Sequence, residues 1–195
     1  MRRRPLFYLF LLGLGACTEP TTTTPSTTKT PNPAAASKPA EAARPAPTAK
    51  GLLTTQFAGE YNWGDTARQQ AGGTLTVYPE SDSTVLFYLD VSAGPPAFHL
   101  GQLFQRAVVR QGVARCTFKE DYDEKGCRLT IAFQPQAAVI STAAGYGECG
   151  FGQGVYADET YRRTSSAIPQ QFINGEGTAV KFRGLTPEQY YNPGP

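Results

Sequence analysis

The stretch that decides the fold is residues 73–91, which read GTLTVYPESDSTVLFYLDV. Its first part, 73–78, alternates apolar and polar residues as a half-buried strand does. Its last part, 84–91, is a stronger strand, with one face made of Val85, Phe87, Leu89 and Val91. The residues between them, 79–83, are typical of a turn. The stretch therefore predicts two neighbouring strands and places β structure at the centre of the fold.

Further short runs of β-forming residues occur on both sides of this pair. They are residues 57–63, 97–104, 106–118, 127–133, 137–142 and 154–161. Strands at this spacing, without a convincing amphipathic helix, predict an all-β domain over residues 51–163. About eight antiparallel strands would close a small barrel, filled by side chains or holding one small ligand, and a β-sandwich is the alternative.

The C-terminal extension, residues 164–195, is less regular than the β-domain. Residues 179–182 could add one strand. Residues 186–191 have the start signals of a short helical turn, with Thr186 as the cap and Pro187 at the first position.

The first 16 residues have the features of an export signal peptide. Arginines at positions 2–4 precede an apolar run at 6–12, which is shorter than the roughly 18–20 residues that cross a bilayer. The following Leu14-Gly15-Ala16-Cys17 resembles the lipobox of bacterial lipoproteins. The resemblance implies cleavage between Ala16 and Cys17, followed by acylation of Cys17. The alternative is an ordinary cleaved signal with an incidental cysteine.

Residues 17–50 predict a tether that follows the lipidated cysteine. From position 18 to 50 there are seven prolines and no aromatic residue, Val, Leu or Ile. Such a segment cannot bury enough apolar surface to offset the entropy of ordering, so we expect it to be disordered. Its function would be to separate the β-domain from the membrane.

The charge of the chain is unevenly distributed. The whole chain has a formal charge of +2, but residues 51–195 carry eleven basic and fourteen acidic side chains, a net charge of −3. Nucleic-acid binding usually needs a clustered positive footprint. The sequence shows no such cluster, and we expect no nucleic-acid partner.

Three cysteines remain once Cys17 is assigned to the lipid: Cys116, Cys127 and Cys149. An exported domain permits disulfides, and an odd number leaves one thiol over. Cys116 and Cys127 would suit the two arms of a hairpin, whereas Cys127 and Cys149 would join a strand to a later loop. The spacings do not repeat a zinc motif and His99 is the only histidine, so we expect neither a metal nor a cofactor.

The glycine-rich segment at 145–155 lacks the pattern of a phosphate loop and favours tight turns instead. The residues from Cys149 to Arg163 resemble the ending CGFGxGVxADGxYxR of small β-domains in exported bacterial proteins, some of which lie beside lysozyme-inhibitor-type modules. His99-x-Gly101 and the Cys-x-Leu-x-Ile-x-Phe pattern at 127–133 occur there in the same order. The resemblance implies a Cys127–Cys149 disulfide. Glu159 stands where glycine is usual, and Cys116 is extra.

No group of residues in the sequence makes a strong catalytic motif. Cys116 with His99 could form a thiol nucleophile, but a histidine that is packed or hydrogen-bonded at a strand end is the expected interpretation. The acidic run at 120–124 offers calcium ligands without the EF-hand pattern, so a solvated hairpin tip is expected.

We therefore expect a membrane-anchored lipoprotein of the bacterial cell envelope, periplasmic or surface-facing, with a non-catalytic binding or structural domain. Its partner would be a protein, a glycan or a small apolar ligand. A lysozyme-inhibitor-like protein and an envelope hydrolase are the alternatives.

Overall fold

The computed structural model describes residues 51–65, 70–119, 125–143 and 149–194. All of them belong to the second of the two units into which the chain divides, Arg44–Pro195. The predicted signal peptide, Ala16, Cys17, the tether and the acidic run at 120–124 lie outside the described residues.

Eight antiparallel strands form a closed barrel in which each strand pairs with the next and the last pairs with the first. They are β1 (Gly59–Gly64), β2 (Gly72–Pro79), β3 (Thr84–Ser92), β4 (Leu100–Arg110), β5 (Val113–Phe118), β6 (Cys127–Gln134), β7 (Ala137–Thr142) and β8 (Thr160–Ser165). The prediction of an all-β domain built as an eight-stranded barrel is confirmed, and the sandwich alternative is wrong.

Two of the predicted strand boundaries are wrong. The chain does not break near residue 105, because β4 pairs with β3 from Leu100 to Val108 and turns only at Gln111 and Gly112, both of which have positive φ. The run at 154–161 is not a strand over most of its length, since β8 begins at Thr160. Gln105 interrupts the apolar pattern of β4, but the strand continues through it because β4 pairs with β3 on both sides of this residue.

The barrel interior is filled by one cluster of apolar side chains from all eight strands. Its largest members are fully buried: Tyr61, Leu75, Phe87, Leu89, Leu129, Ile131, Ile140 and Tyr161. Because side chains alternate across a strand, these residues recur at every second position and leave the intervening ones on the outer wall. The predicted common face of Val85, Phe87, Leu89 and Val91 on β3 is confirmed, and it points into the barrel.

The C-terminal extension builds a second apolar cluster on the outside of the barrel. It contains β9 (Gln171–Ile173), β10 (Ala179–Lys181) and α1 (Pro187–Tyr191), and β9 and β10 form a two-stranded antiparallel sheet. Phe172 stacks on Tyr88 with ring centroids 4.1 Å apart, and Phe182 stacks on Tyr78 at 5.3 Å. The central part of β3 is therefore buried on both of its faces.

The predicted strand and helical turn of this extension are both present. Thr186 caps α1 in a capping box and Pro187 is at its first position. No helix in the described part of the chain is long and apolar enough to cross a membrane.

The two ends of the barrel differ in the length of their connections. At one end, which we call the turn end, the short segments 80–83, 111–112 and 135–136 join the strands. At the other, the loop end, the connections are 65–71, 93–99, 119–126 and 143–159. Binding residues are often carried by loops on a rigid scaffold, so the loop end is the first place to look for a site.

Candidate functional site

The described part of the glycine-rich segment, residues 149–155, folds into the loop end of the barrel. We call residues 149–159 the plug. Phe151, Val155 and Ala157 are buried and belong to the interior cluster. A disulfide between Cys149 and Cys127 ties the start of the plug to the start of β6, which confirms the predicted pairing. The plug therefore closes the end of the barrel where a ligand would otherwise enter.

The His-x-Gly motif receives the plug. A Cβ added at Gly101 would lie 2.7 Å from a ring carbon of Phe151, so only glycine leaves room for that ring. Gly152 donates a hydrogen bond from its backbone N–H to the carbonyl oxygen of Leu100. His99 donates from Nδ1 to the carbonyl oxygen of Gln153, 2.5 Å away. The hydrogen-bonded histidine expected at a strand end is confirmed.

The three motifs that carry the family resemblance thus meet at one place. His99 and Gly101 hold the middle of the plug, while Cys127 holds its start. Their common role in this structure is to seat the plug.

Asp158 is a structural residue that the sequence reasoning did not single out. Its two carboxylate oxygens accept hydrogen bonds from the backbone N–H of Thr142, at 2.6 Å, and from the Thr142 hydroxyl, at 3.0 Å. The next residue, Glu159, accepts a backbone hydrogen bond from Ile140. A backbone contact of this kind does not depend on the side chain, so Glu159 can stand where the resembled pattern has glycine.

Cys116 and His99 have different environments. Cys116 is a free thiol buried in the barrel interior, and burial raises its pKa to about 12. Such a thiol is protonated at neutral pH and is a weak nucleophile. His99 is exposed on the loop end, with Nδ1 engaged by Gln153. The structure gives no support to a thiol nucleophile activated by this histidine.

A polar groove of about 470 Å³ lies on the outer wall, between β1–β3 and the edge of β9. Asn62, Thr74, Asp90 and Gln102 are consecutive partners in a row across β1 to β4. Partial burial raises the pKa of Asp90, and a hydrogen bond from Gln102 opposes this shift. The groove presents hydroxyl, amide and carboxyl groups side by side and is one candidate for hydrogen bonding to a polar ligand.

A second groove, of about 630 Å³, lies on the outer wall between β4 and β5. These two strands pair only between Val108–Arg110 and Val113–Arg115, and the groove occupies the gap beyond that short ladder. Its lining includes three arginines: Arg106, Arg110 and Arg115. We call this the arginine groove.

One arginine of the groove is already paired. Glu80 accepts two hydrogen bonds from Arg106, from Nε and from Nη2, each 2.6 Å long. This contact raises the pKa of Arg106. Arg110 and Arg115 are exposed and have no carboxylate partner within the described residues.

The sequence reasoning missed this concentration of positive charge. The three arginines of the groove lie within residues 106–115, but only the strand register places them on one face. The group of arginines could have been predicted from a correct C-terminal end of β4, because that end sets which residues of β4 and β5 are paired. The predicted cleavage and lipid site at Ala16 and Cys17 lies outside the described residues, as does the acidic run at 120–124.

Comparisons of the chain with protein-family models, with curated proteins and with solved structures find no match.

Proposed function

We propose that this chain is a lipid-anchored protein of the bacterial cell envelope whose barrel is a non-catalytic binding module, and that it recognises its ligand on the outside of the barrel. The observation that carries this proposal is the closed interior. Side chains fill the barrel, and the plug is buried in the same cluster at the loop end. Recognition is therefore assigned to the outer wall, where the polar groove and the arginine groove lie.

The anchor is supported by the sequence at the start of the chain. The basic residues, the short apolar run and Leu14-Gly15-Ala16-Cys17 fit cleavage before Cys17 and its acylation. Two or more acyl chains hold a protein firmly to a membrane, whereas one chain gives marginal binding. The proline-rich segment that follows would allow the barrel to reach ligands at some distance from the membrane.

A binding role is favoured over catalysis by the state of the two side chains best suited to nucleophilic chemistry. Cys116 is buried with a raised pKa, and His99 is engaged in seating the plug. Cys116 is packed in the barrel and His99 is hydrogen-bonded to the plug, and within the described residues the two grooves offer polar and charged groups to a ligand.

The anchor is tested by expressing the full chain in a bacterium fed with a palmitate analogue that carries a clickable label. We expect the label on the wild type and on Cys116→Ala, which is the matched cysteine control, and none on Cys17→Ala. Wild-type chain without label, or Cys17→Ala with label, would refute lipidation at Cys17.

The binding role is tested with the detergent-solubilised full chain, tagged at its C-terminus, as bait in envelope extract supplemented with lysozymes. We expect saturable retention of a protein or glycan that free chain competes away. Retention of a lysozyme would favour the inhibitor-like alternative, and release of fragments from envelope polymers would favour the hydrolase. If nothing is retained in a saturable way, the proposed recognition of a protein or glycan is wrong.

A further inference from the structure

We propose that the arginine groove binds phosphate groups. This inference rests on the proposed function, because it names the ligand chemistry of one surface on the outer wall. It depends on the strand register, on the balance of charge and on the shape of the gap between β4 and β5.

The register places Arg115 at the centre of a group of arginines. Arg115 lies directly opposite Val108 on β4 and directly opposite Thr130 on β6. Two residues along β4 in each direction from Val108 are Arg106 and Arg110, and two residues before Thr130 is Arg128. Diagonal neighbours in a sheet are about 7–8 Å apart, within reach of long side chains. Three strands therefore supply four guanidinium groups to one surface.

Among the described residues, the positive charge of this surface exceeds the negative charge that faces it. Glu80 pairs with Arg106, and Glu188 of α1 also lines the groove. Arg110, Arg115 and Arg128 are exposed and have no carboxylate partner in the described part of the chain. Like charges at neighbouring positions of a sheet repel one another. A bound anion would relieve this repulsion, so the electrostatics of the surface favour anion binding.

The shape of the groove favours an inserted group. The β4–β5 ladder ends at Val108 and Arg115, and beyond it Arg106 and Thr117 form opposite sides of the groove. Phe118, which packs against the interior cluster, contributes to the lining. An anionic group can therefore lie between two strands, with guanidinium groups on both sides of it.

Phosphate matches this arrangement better than a carboxylate does. A guanidinium group offers a planar fork of N–H donors that bonds phosphate oxygens in pairs. A phosphate has more acceptor oxygens than a carboxylate and can accept from several arginines at once. A chain of linked phosphates, or phosphates spaced along a surface, would engage more of the group than one ion can.

The direct test is calorimetric titration of the full chain in detergent micelles with tripolyphosphate at about physiological ionic strength, where weak surface attraction is screened. We expect saturable binding to the wild type. The double variant Arg110→Gln/Arg115→Gln should bind at least about tenfold more weakly, because each charge-assisted contact to phosphate is strong. The control is Arg162→Gln, which removes an exposed arginine from β8 and should leave the affinity within about twofold of the wild type.

A stability measurement separates binding from misfolding. Tripolyphosphate should raise the melting temperature of the wild type and of Arg162→Gln, and it should have little effect on the double variant. Without the ligand, the double variant should melt at the same temperature as the wild type or higher, because like charges have been removed. A double variant that retains the wild-type affinity for tripolyphosphate would contradict the assignment, even if it melts well below the wild type.

Vesicle binding distinguishes the sources of the phosphate. Vesicles of phosphatidylcholine alone and with phosphatidylglycerol share any contribution of the acyl anchor, so only the difference between them reports the groove. A gain with phosphatidylglycerol that is lost in the double variant would identify lipid headgroups. Tripolyphosphate binding without this gain would identify phosphate on a soluble or polymeric ligand.

The inference is overturned if the wild type binds neither tripolyphosphate nor the anionic vesicles preferentially, or if Arg162→Gln weakens binding as much as the double variant. The bait experiment remains separate from this result. An envelope partner that is retained equally by the wild type and the double variant would leave the binding module intact and exclude the groove as its site.

Discussion

Removing the disulfide that ties the plug to β6 should cost the barrel a large share of its stability. The perturbation is the double variant Cys127→Ala/Cys149→Ala, which removes the disulfide that joins β6 to the plug. Phe151, Val155 and Ala157 lie just after Cys149 and are buried in the interior cluster. Without the cross-link, these residues keep their contacts in the folded state, but the unfolded chain gains freedom.

The magnitude follows from the size of the loop that the disulfide closes. The two cysteines are 22 residues apart in the sequence. In the chain-entropy model, closing a loop of this length removes unfolded-state entropy worth about 3.4 kcal/mol at 25 °C. Native domains are stable by only about 5–15 kcal/mol, so the variant should lose a considerable part of its free energy of unfolding.

The assay is urea unfolding of the full chain, followed by tyrosine and tryptophan fluorescence, with the free energy of unfolding obtained by linear extrapolation. The control is Cys116→Ala, which removes one buried sulfur without opening a loop and should cost about 1 kcal/mol. Alkylation supplies a second readout. Cys116 should be unreactive in the native chain at neutral pH, since it is buried with a pKa raised to about 12, and should react in urea.

A loss of less than about 1 kcal/mol in the double variant would refute the reasoning. It would mean that the unfolded chain is compact enough to gain little freedom when the cross-link is removed. A native chain in which Cys127 or Cys149 is alkylated would contradict the pairing itself.

Two further predictions concern packing. Phe182→Ala should lower the free energy of unfolding by about 3–5 kcal/mol, because the ring is fully buried in the outer cluster. The control is Ile173→Ala, at an exposed position of β9, which should change the free energy of unfolding by less than about 0.5 kcal/mol. If Phe182→Ala loses as little in urea unfolding as is expected for Ile173→Ala, the outer cluster does not stabilise the barrel. Gly101→Ala should cost about 1–3 kcal/mol, because the new methyl group would lie 2.7 Å from the ring of Phe151. Phe151→Leu in the same background should recover part of that loss, and strictly additive losses would argue against a direct clash.

Local features of the fold could be predicted from the sequence because they depend on neighbouring residues. The alternation of Val85, Phe87 and Leu89 indicates a strand whatever lies opposite it, since the period of two is a property of the strand itself. Thr186 and Pro187 likewise indicate a helix start through contacts within one turn. The pairing of Cys127 with Cys149 came from a resemblance in the motif, and the structure confirms it.

The errors occur where distant parts of the chain decide the local structure. Residues 154–159 read as a strand because Val155 and Ala157 are apolar, but these residues are buried by insertion into the barrel end and not by pairing in the sheet. Gln105 interrupts the apolar pattern of β4, yet its pairing with Phe87 carries the strand through to Arg110. The covering of Tyr88 by Phe172 also lies outside any local pattern.

The sequence by itself determined the all-β class, the approximate number of strands and the capped helical turn at Thr186, and it predicts an export signal with a lipid site at Cys17. Each of these depends on periodicity or on a motif within a few residues. Only the tertiary structure decided which end of the barrel the plug closes, which wall the C-terminal extension covers, and that Arg115 lies among other arginines. These features depend on register and closure, which bring together residues far apart in the chain, and an electrostatic surface exists only after that has happened.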